Sequence, residues 1–129
     1  MIRFRLAALG WLLSFSVLAQ EPYPSKPIRI LVGYAAGGGN DIIVRVMQPE
    51  LQKGLGQPVI VENRPGAQGI IAADLAAKSA PDGYTIMMGP SGPMTINPAT
   101  YSKLSYSPTR DFAPISMIAS FPLLLTVDP

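Results

Sequence analysis

A chain of 129 residues with mean hydropathy +0.28 and 14% charged residues is sized for one domain with a real apolar core. It has no Cys and no His, which excludes disulfides, cysteine-ligated metals, a lipid-modified cysteine anchor and His-based catalytic triads, and removes most zinc sites. The pI of about 9.1 misleads, because Arg3 and Arg5 lie in an N-terminal leader and the rest carries eight basic and eight acidic residues without a Lys/Arg cluster, so no nucleic-acid face is expected.

In chain order, Met1–Arg5 is a short positive segment and Leu6–Ala19 is almost unbroken apolar sequence. Val17-Leu18-Ala19 puts small residues at the two positions a signal peptidase reads, before Gln20. The apolar run, about 14 residues, is short of the ~20 that cross a bilayer. Residues 1–19 are therefore expected to be a removed secretory signal, leaving 20–129 exported and without a stable membrane anchor. A retained transmembrane anchor is the alternative.

Pro22, Pro24 and Pro27 keep the next stretch extended, and Ile28–Val32 reads as a buried strand. Gly37-Gly38-Gly39 ends the following turn, Asn40 is a fair N-cap and Asp41 adds an acid to the first helical turn. Ile42, Ile43, Val46, Met47 and Leu51 then follow at helical spacing as one apolar face, and Gly54 and Gly56 stop the helix. Pro49 predicts a kink or a break within it.

Residues 58–61 read as a second strand, Asn63–Gly66 as a turn, and 68–79 as an Ala-rich helix whose small side chains allow close packing on a sheet. Pro81-Asp82-Gly83 signals a turn, and 84–88 a third strand. Residues 89–112 are expected to be a long loop with one helical turn near Pro98–Tyr101; 115–120 and 123–127 read as one or two further strands. The order β-α-β-α-β, with near-continuous apolar strands, predicts an α/β fold: an open, mostly parallel sheet with helices on both faces.

Three turns then follow the C-terminal ends of parallel strands, at Tyr34–Asn40, Arg64–Gly69 and Gly89–Gly92, the edge where open α/β sheets bind ligands. Two of them run into helix N-termini, where unbonded amides and the helix dipole favour an anion. A carboxylate could be held by the N–H groups of Ala36, Gly37, Gly38, Ala67 and Gly69, with a hydroxyl from Ser91; the alternative is that all three are merely tight turns. Tyr34 sits on this edge, whereas Tyr84, Tyr101 and Tyr106 read as packing residues.

A dinucleotide cradle fits incompletely. Gly37-x-Gly39 begins its fingerprint and Glu62 stands near the position of a ribose-binding acid, but the third glycine would fall at Ile42, and no G-K-[S/T] follows a Gly turn. Asp41 reads as a helix-start residue and Asp82 as a turn residue rather than acid–base groups. No catalytic constellation and no cofactor site emerges, so the chain is not expected to be an enzyme.

Tyr23–Val32, Gly37-Gly-Gly-Asn-Asp41, Leu55–Ala67 with Gly69, Pro81-Asp-Gly-Tyr-Thr85, Ile96-Asn-Pro98, Tyr101, Leu104 and Asp111–Pro114 resemble, in order and spacing, the Bug family, the substrate-binding receptors of tripartite tricarboxylate transporters. The resemblance implies the first lobe of a two-lobed type II periplasmic-binding-protein fold. It also implies a periplasmic location, a small carboxylate ligand (a di- or tricarboxylate or acidic amino acid) and a membrane permease as partner; the receptor is expected to be a monomer. In such receptors the loops after the first three strands grip a carboxylate. Carried over, these are Tyr34–Gly39, Gly66–Gly69 and Gly89–Ser91.

Two features depart from the family pattern. The first loop reads Tyr34-Ala35-Ala36 where prolines are common, and Pro90 replaces a polar residue, which shifts weight to Ser91. Two lobes need more than ~200 residues, so 20–129 reads as an incomplete first lobe with the second absent. The rival readings are a nucleotide-binding α/β enzyme domain and an exported fragment of purely structural role.

Overall fold

The computed structural model describes residues 22–120 and 125–126. The predicted signal segment, 1–19, lies outside them. Three strands, β1 (Ile28–Val32), β2 (Val59–Asn63) and β3 (Thr85–Met88), form one parallel sheet in the order β2-β1-β3. Ile28 pairs with Val59 at the start of one ladder and Arg29 with Thr85 at the start of the other.

Side chains alternate across the central strand. Ile28, Ile30 and Val32 face one side, where Ile30 and Val32 pack with Val44, Val59, Leu51 and Leu55 beneath helix α1 (Gly39–Leu55). Leu31 and Gly33 face the other side, beneath α2 (Ile70–Ala77), where Ala72 and Ala73 are fully buried. The small inner face of α2 does permit the close approach expected of it: a Cβ on Gly33 would stand 3.3 Å from Ala72 Cβ and 2.9 Å from Gly69 Cα.

The helix α1 departs from expectation twice. It runs unbroken through Pro49. Pro49 and Arg45, whose carbonyl loses its partner, are both on the exposed side, where solvent can serve that carbonyl. The buried face is also shifted: of the residues expected inward, Leu51 packs on the core and Ile43 and Met47 are half-buried, but Ile42 and Val46 are not buried. Asp41, Val44, Gln48, Leu51 and Leu55 turn inward, while Ile42 and Val46 are 52% and 72% exposed.

Two polar residues take inner positions because each finds a partner. Asp41 does so in the network described below. Gln48 Nε2 donates to Val59 O at 2.6 Å, and Val59 N–H donates to Gln52 Oε1 at 3.2 Å. These two glutamines satisfy the outward N–H and C=O of Val59 at the start of edge strand β2.

The helical turn expected near Pro98–Tyr101 is present, but the segment 89–112 is more helical than a long loop. After Gly89-Pro90 the chain enters a π-helical turn, Gly92–Ile96, which continues directly into α3 (Asn97–Thr100). Tyr106 then folds back, buried, with its hydroxyl donating to Pro93 O at 2.7 Å and its ring edge-on to Phe112. Residues 115–120 form no strand; they are exposed and have no ladder partner among the described residues. The second proposed strand, 123–127, falls mostly outside the described residues.

The opposite end of the sheet is closed by side chains. Tyr23 Oη donates to Gly83 O at 2.8 Å, Ser25 N–H donates to Tyr84 Oη at 2.8 Å, and the Tyr23 and Tyr84 rings meet at 5.0 Å. Lys26 pairs with Asp82 at 3.2 Å and lies 4.2 Å from the Tyr84 ring centroid. The Pro81–Thr85 motif thus ties the entry of β1 to the entry of β3.

Candidate ligand-binding edge

Because all three strands are parallel, the loops that leave them share one edge. From β1 the chain crosses to β2 on one flank; from β2 it passes over β1 to β3 on the other. Connections diverge between β1 and β3, which is the kind of switch point where open α/β sheets form a crevice.

The first loop is fixed by Asp41. This carboxylate, 1% exposed, accepts from Gly37 N–H at 2.8 Å, Arg45 Nε at 2.8 Å and Asn63 Nδ2 at 2.9 Å. Asn63 Nδ2 also donates to Tyr34 O at 3.1 Å, and Arg45 Nη2 donates to Asn63 Oδ1 at 3.1 Å. One acid therefore joins the loop after β1, the first turn of α1 and the end of β2. The Arg45 guanidinium above all, then the Gly37 amide and the Asn63 carboxamide, hold the Asp41 carboxyl well below the usual carboxylate range. It remains an anion and a brace rather than a proton-transfer group.

The second loop turns left-handed. Ala67 and Gln68 have φ of 44° and 53°, and Gly69 follows at 86°. Its Cβ position would lie 3.2 Å from Pro93 Cγ, so Gly69 is the residue that lets the third loop close against the second. Gly92 marks where all three loops meet: a Cβ there would stand 2.7 Å from Tyr34 Oη and 3.5 Å from Gln68 O.

Between the loop after β1, the start of α1, the end of β3, the third loop and the segment 116–120 lies an open cleft of about 650 Å³, lined by Tyr34, Asn40, Gly89, Ser91, Gly92 and Thr95 among others, none of them charged. Of the residues singled out from the sequence, Tyr34, Gly89 and Ser91 line this cleft, and Gly39 lines an adjoining hollow with Asn40. Ala36, Gly37, Gly38, Ala67 and Gly69 sit on the same edge but outside that lining.

Their amides divide into two groups. The N–H of Gly37 serves Asp41, that of Gly38 donates to Ala35 O at 3.2 Å, and that of Gly69 donates to Gly66 O at 2.9 Å. These three glycines shape the loops instead of offering donors, which corrects the expectation for their N–H groups. The amides of Ala36, Gly39, Asn40, Ala67 and Gln68 take no protein acceptor among the described residues. Asn40, Arg45, Asn63, Gly92 and Asn97 were not singled out as site residues from the sequence. A polar Asn ending an apolar strand, and an acid two residues after a Gly triplet, were the available signals for the Asp41–Asn63 pair.

Comparison with known proteins bears on the family and the fold. The model of the tripartite tricarboxylate transporter family receptor matches residues 43–129. BugT of Bordetella pertussis is 37% identical, over 96% of this chain and 40% of its own length. Among solved structures, MatC from Rhodopseudomonas palustris with bound malate is 38% identical with a TM-score of 0.71, over 74% of this chain and 33% of that one. The periplasmic binding protein BugD is 34% identical with a TM-score of 0.65, over 72% of this chain and 31% of that one.

The fold is thus that of periplasmic binding proteins, an open parallel sheet packed with helices. The chain belongs to the tripartite tricarboxylate transporter receptor family. It spans about two-fifths of the length of BugT and about a third of MatC and BugD.

Proposed function

We propose that residues 20–129 form first-lobe structure of a periplasmic receptor that captures a small carboxylate, a di- or tricarboxylate or an acidic amino acid, for a membrane permease. Residues 1–19 act as its export signal. The observation that carries this reading is the meeting of three strand-end loops at Gly92, beside amides that have no protein acceptor. The Gly39 and Asn40 amides open a 17-residue helix whose dipole favours an anion, and Ser91 and Tyr34 add hydroxyls across the cleft. Ala67 contributes its amide from the second loop, and Gly37, Gly38, Gly69 and Gly89 give the backbone its shape.

The malate held by MatC supports a carboxylate as the class of ligand. No helix among the described residues is long and apolar enough to cross a membrane. A cleft this open buries only part of a guest, so binding to this chain is weak, roughly millimolar, and tightens when a second lobe closes over the ligand.

Amide resonances in a ¹⁵N-labelled chain titrated with malate, succinate, citrate and glutamate test the reading. Saturable shifts at Gly39, Asn40, Ala67, Gln68 and Ser91 are expected with at least one of them. Shifts scattered over the surface, or none with any carboxylate, would overturn it.

A further inference from the structure

We propose that Asn97, which no sequence signal marks as part of the site, is a positioning residue for the ligand edge. Its carboxamide clasps the second loop and holds it in the left-handed form in which the Ala67 and Gln68 amides remain unengaged. The proposal rests on the carboxylate-receptor reading for its functional consequence and on geometry alone for the clasp.

Asn97 opens α3, 29 residues after the loop it touches, and is fully buried. Its Nδ2 donates to Gln68 O at 3.2 Å. That carbonyl fixes the orientation of the carboxamide, since the flipped form would set oxygen against oxygen. Its Oδ1 has no hydrogen-bond partner. A buried carboxamide that leaves its oxygen unpaired is a poor choice for simple packing, where an apolar residue of the same shape would do better. What Asn97 supplies that leucine cannot is the donor to Gln68.

Gln68 needs such a clasp. Ala67 and Gln68 both occupy left-handed backbone, disfavoured for L-residues roughly five- to thirtyfold each. Gly66 and Gly69 on either side adopt positive φ without that penalty. The loop is therefore biased to relax at its two middle residues; beside the turn's own bonds, Gly69 N–H to Gly66 O and Ile70 N–H to Ala67 O, the contacts that oppose relaxation from the third-loop side are Asn97 on Gln68 O and Pro93 against Gly69. Because Pro93 also accepts from Tyr106, the second loop is held by a unit that includes Gly92, Pro93, Asn97 and Tyr106. Two loops then present their groups to a ligand as one body.

Removing the donor while keeping the shape, with Asn97→Leu, is expected to weaken malate binding by about tenfold, the worth of one lost buried hydrogen bond. Adding Gln68→Gly removes the bias against the left-handed turn and should return the affinity to within about threefold of the parent, a non-additivity that a packing role does not produce. Gln68→Gly alone completes the cycle, and its own measured affinity is the reference against which the double variant is read. Hydrogen exchange at the Gly69 N–H, which closes the turn onto Gly66 O, is expected to speed up in Asn97→Leu and to recover in the double variant.

Unchanged affinity and exchange in Asn97→Leu, or no recovery on adding Gln68→Gly, overturns the proposal. If the leucine variant does not fold, Asn97→Asp, which also lacks the donor, is read the same way. Failure of both to fold, unrelieved by Gln68→Gly, assigns Asn97 to the core and overturns it too. If no carboxylate binds the parent chain, the receptor reading fails, while the exchange measurements still decide the clasp.

Discussion

The two ends of the sheet solve opposite problems with equally recognisable motifs. At the N-terminal end, Tyr23, Ser25, Lys26, Asp82 and Tyr84 close on one another by side-chain contacts, and the motif Pro81–Thr85 is used up in that closure. At the C-terminal end, Gly37–Asp41 and Asn63–Gly69 brace one another from below and leave amides above without a protein acceptor. Motif strength therefore does not separate structure from function here. What separates them is whether the motif satisfies its own polar groups.

The sharpest way to break the comparison is to remove the brace. Asp41→Ala strands three donors, from Gly37, Arg45 and Asn63, in a buried position. The unpaired donors are expected to lower Tm by roughly 10–15 °C in a calorimetric scan. The Gly37 amide should lose its slow hydrogen exchange while the Tyr23–Tyr84 end keeps its chemical shifts. Equal disturbance of both ends would show that they are not separate units.

Gly33→Ala is the next largest. Its Cβ would press to 2.9 Å from Gly69 Cα, a backbone atom that cannot swing aside. Overpacking of this kind costs about 1–3 kcal/mol, or about 5–15 °C in Tm for a chain this size. Unlike loss of Asp41, it should push the second loop away from β1 and shift Ala67 and Gln68 resonances more than Gly37. A silent Gly33→Ala variant would mean that the close approach of β1 and the second loop has room to spare.

The ends also differ in how much of them could be read from the sequence. The three strands of the sheet and the three candidate loops follow from local pattern, from short apolar runs, the Gly37–Gly39 triplet and Pro81-Asp82-Gly83 before Tyr84, but the helix starts do so only roughly: Gly38 rather than Asn40 caps α1, and α2 begins at Ile70 after the left-handed Gln68. The choice of buried face on α1 did not follow, because Ile42, Ile43, Val46 and Met47 are as apolar as any inner stripe. Asp41 and Gln48 take inner positions in their place only by virtue of partners elsewhere in the chain. Asn63, Arg45 and Asn97 were illegible for the same reason: their bonds span as many as 29 residues, and no window of sequence contains both ends. The loops were visible early, but which of their amides are engaged depends on these distant side chains.

Acid should sharpen the contrast next. Asp41 and Asp82 both have folded-state values below those of the unfolded chain, Asp41 chiefly through Arg45 and Asp82 through the Tyr84 amide and then Lys26. The stability they contribute is fully present above the unfolded carboxylate value of about 3.9 and is lost as pH falls below it. Tm should stay level from pH 7 to about 5 and decline below about pH 4. Asp41→Asn should flatten that decline more than Asp82→Asn, since Asp41 is the more deeply depressed of the two. The reverse ranking would place the acid-sensitive end at the wrong side of the sheet.

Lys26→Met should have the smallest effect of all. The Lys26–Asp82 pair is 57% and 42% exposed, and a pair this wet contributes at most about 1 kcal/mol. The methionine stem still covers the Tyr84 ring, so the loss is confined to charge, and Tm should fall by about 1–4 °C at low salt. In 0.5 M salt, where the Debye length is only a few ångströms, the difference should nearly vanish. Carboxylate-induced shifts at Gly39, Asn40 and Ser91 should match those of the parent, because the closed end of the sheet holds β1 and β3 together without touching the ligand edge. A changed ligand response with an unchanged Tm would show that charge at the closed end is felt across the length of the strands, and the division between the two ends would fail.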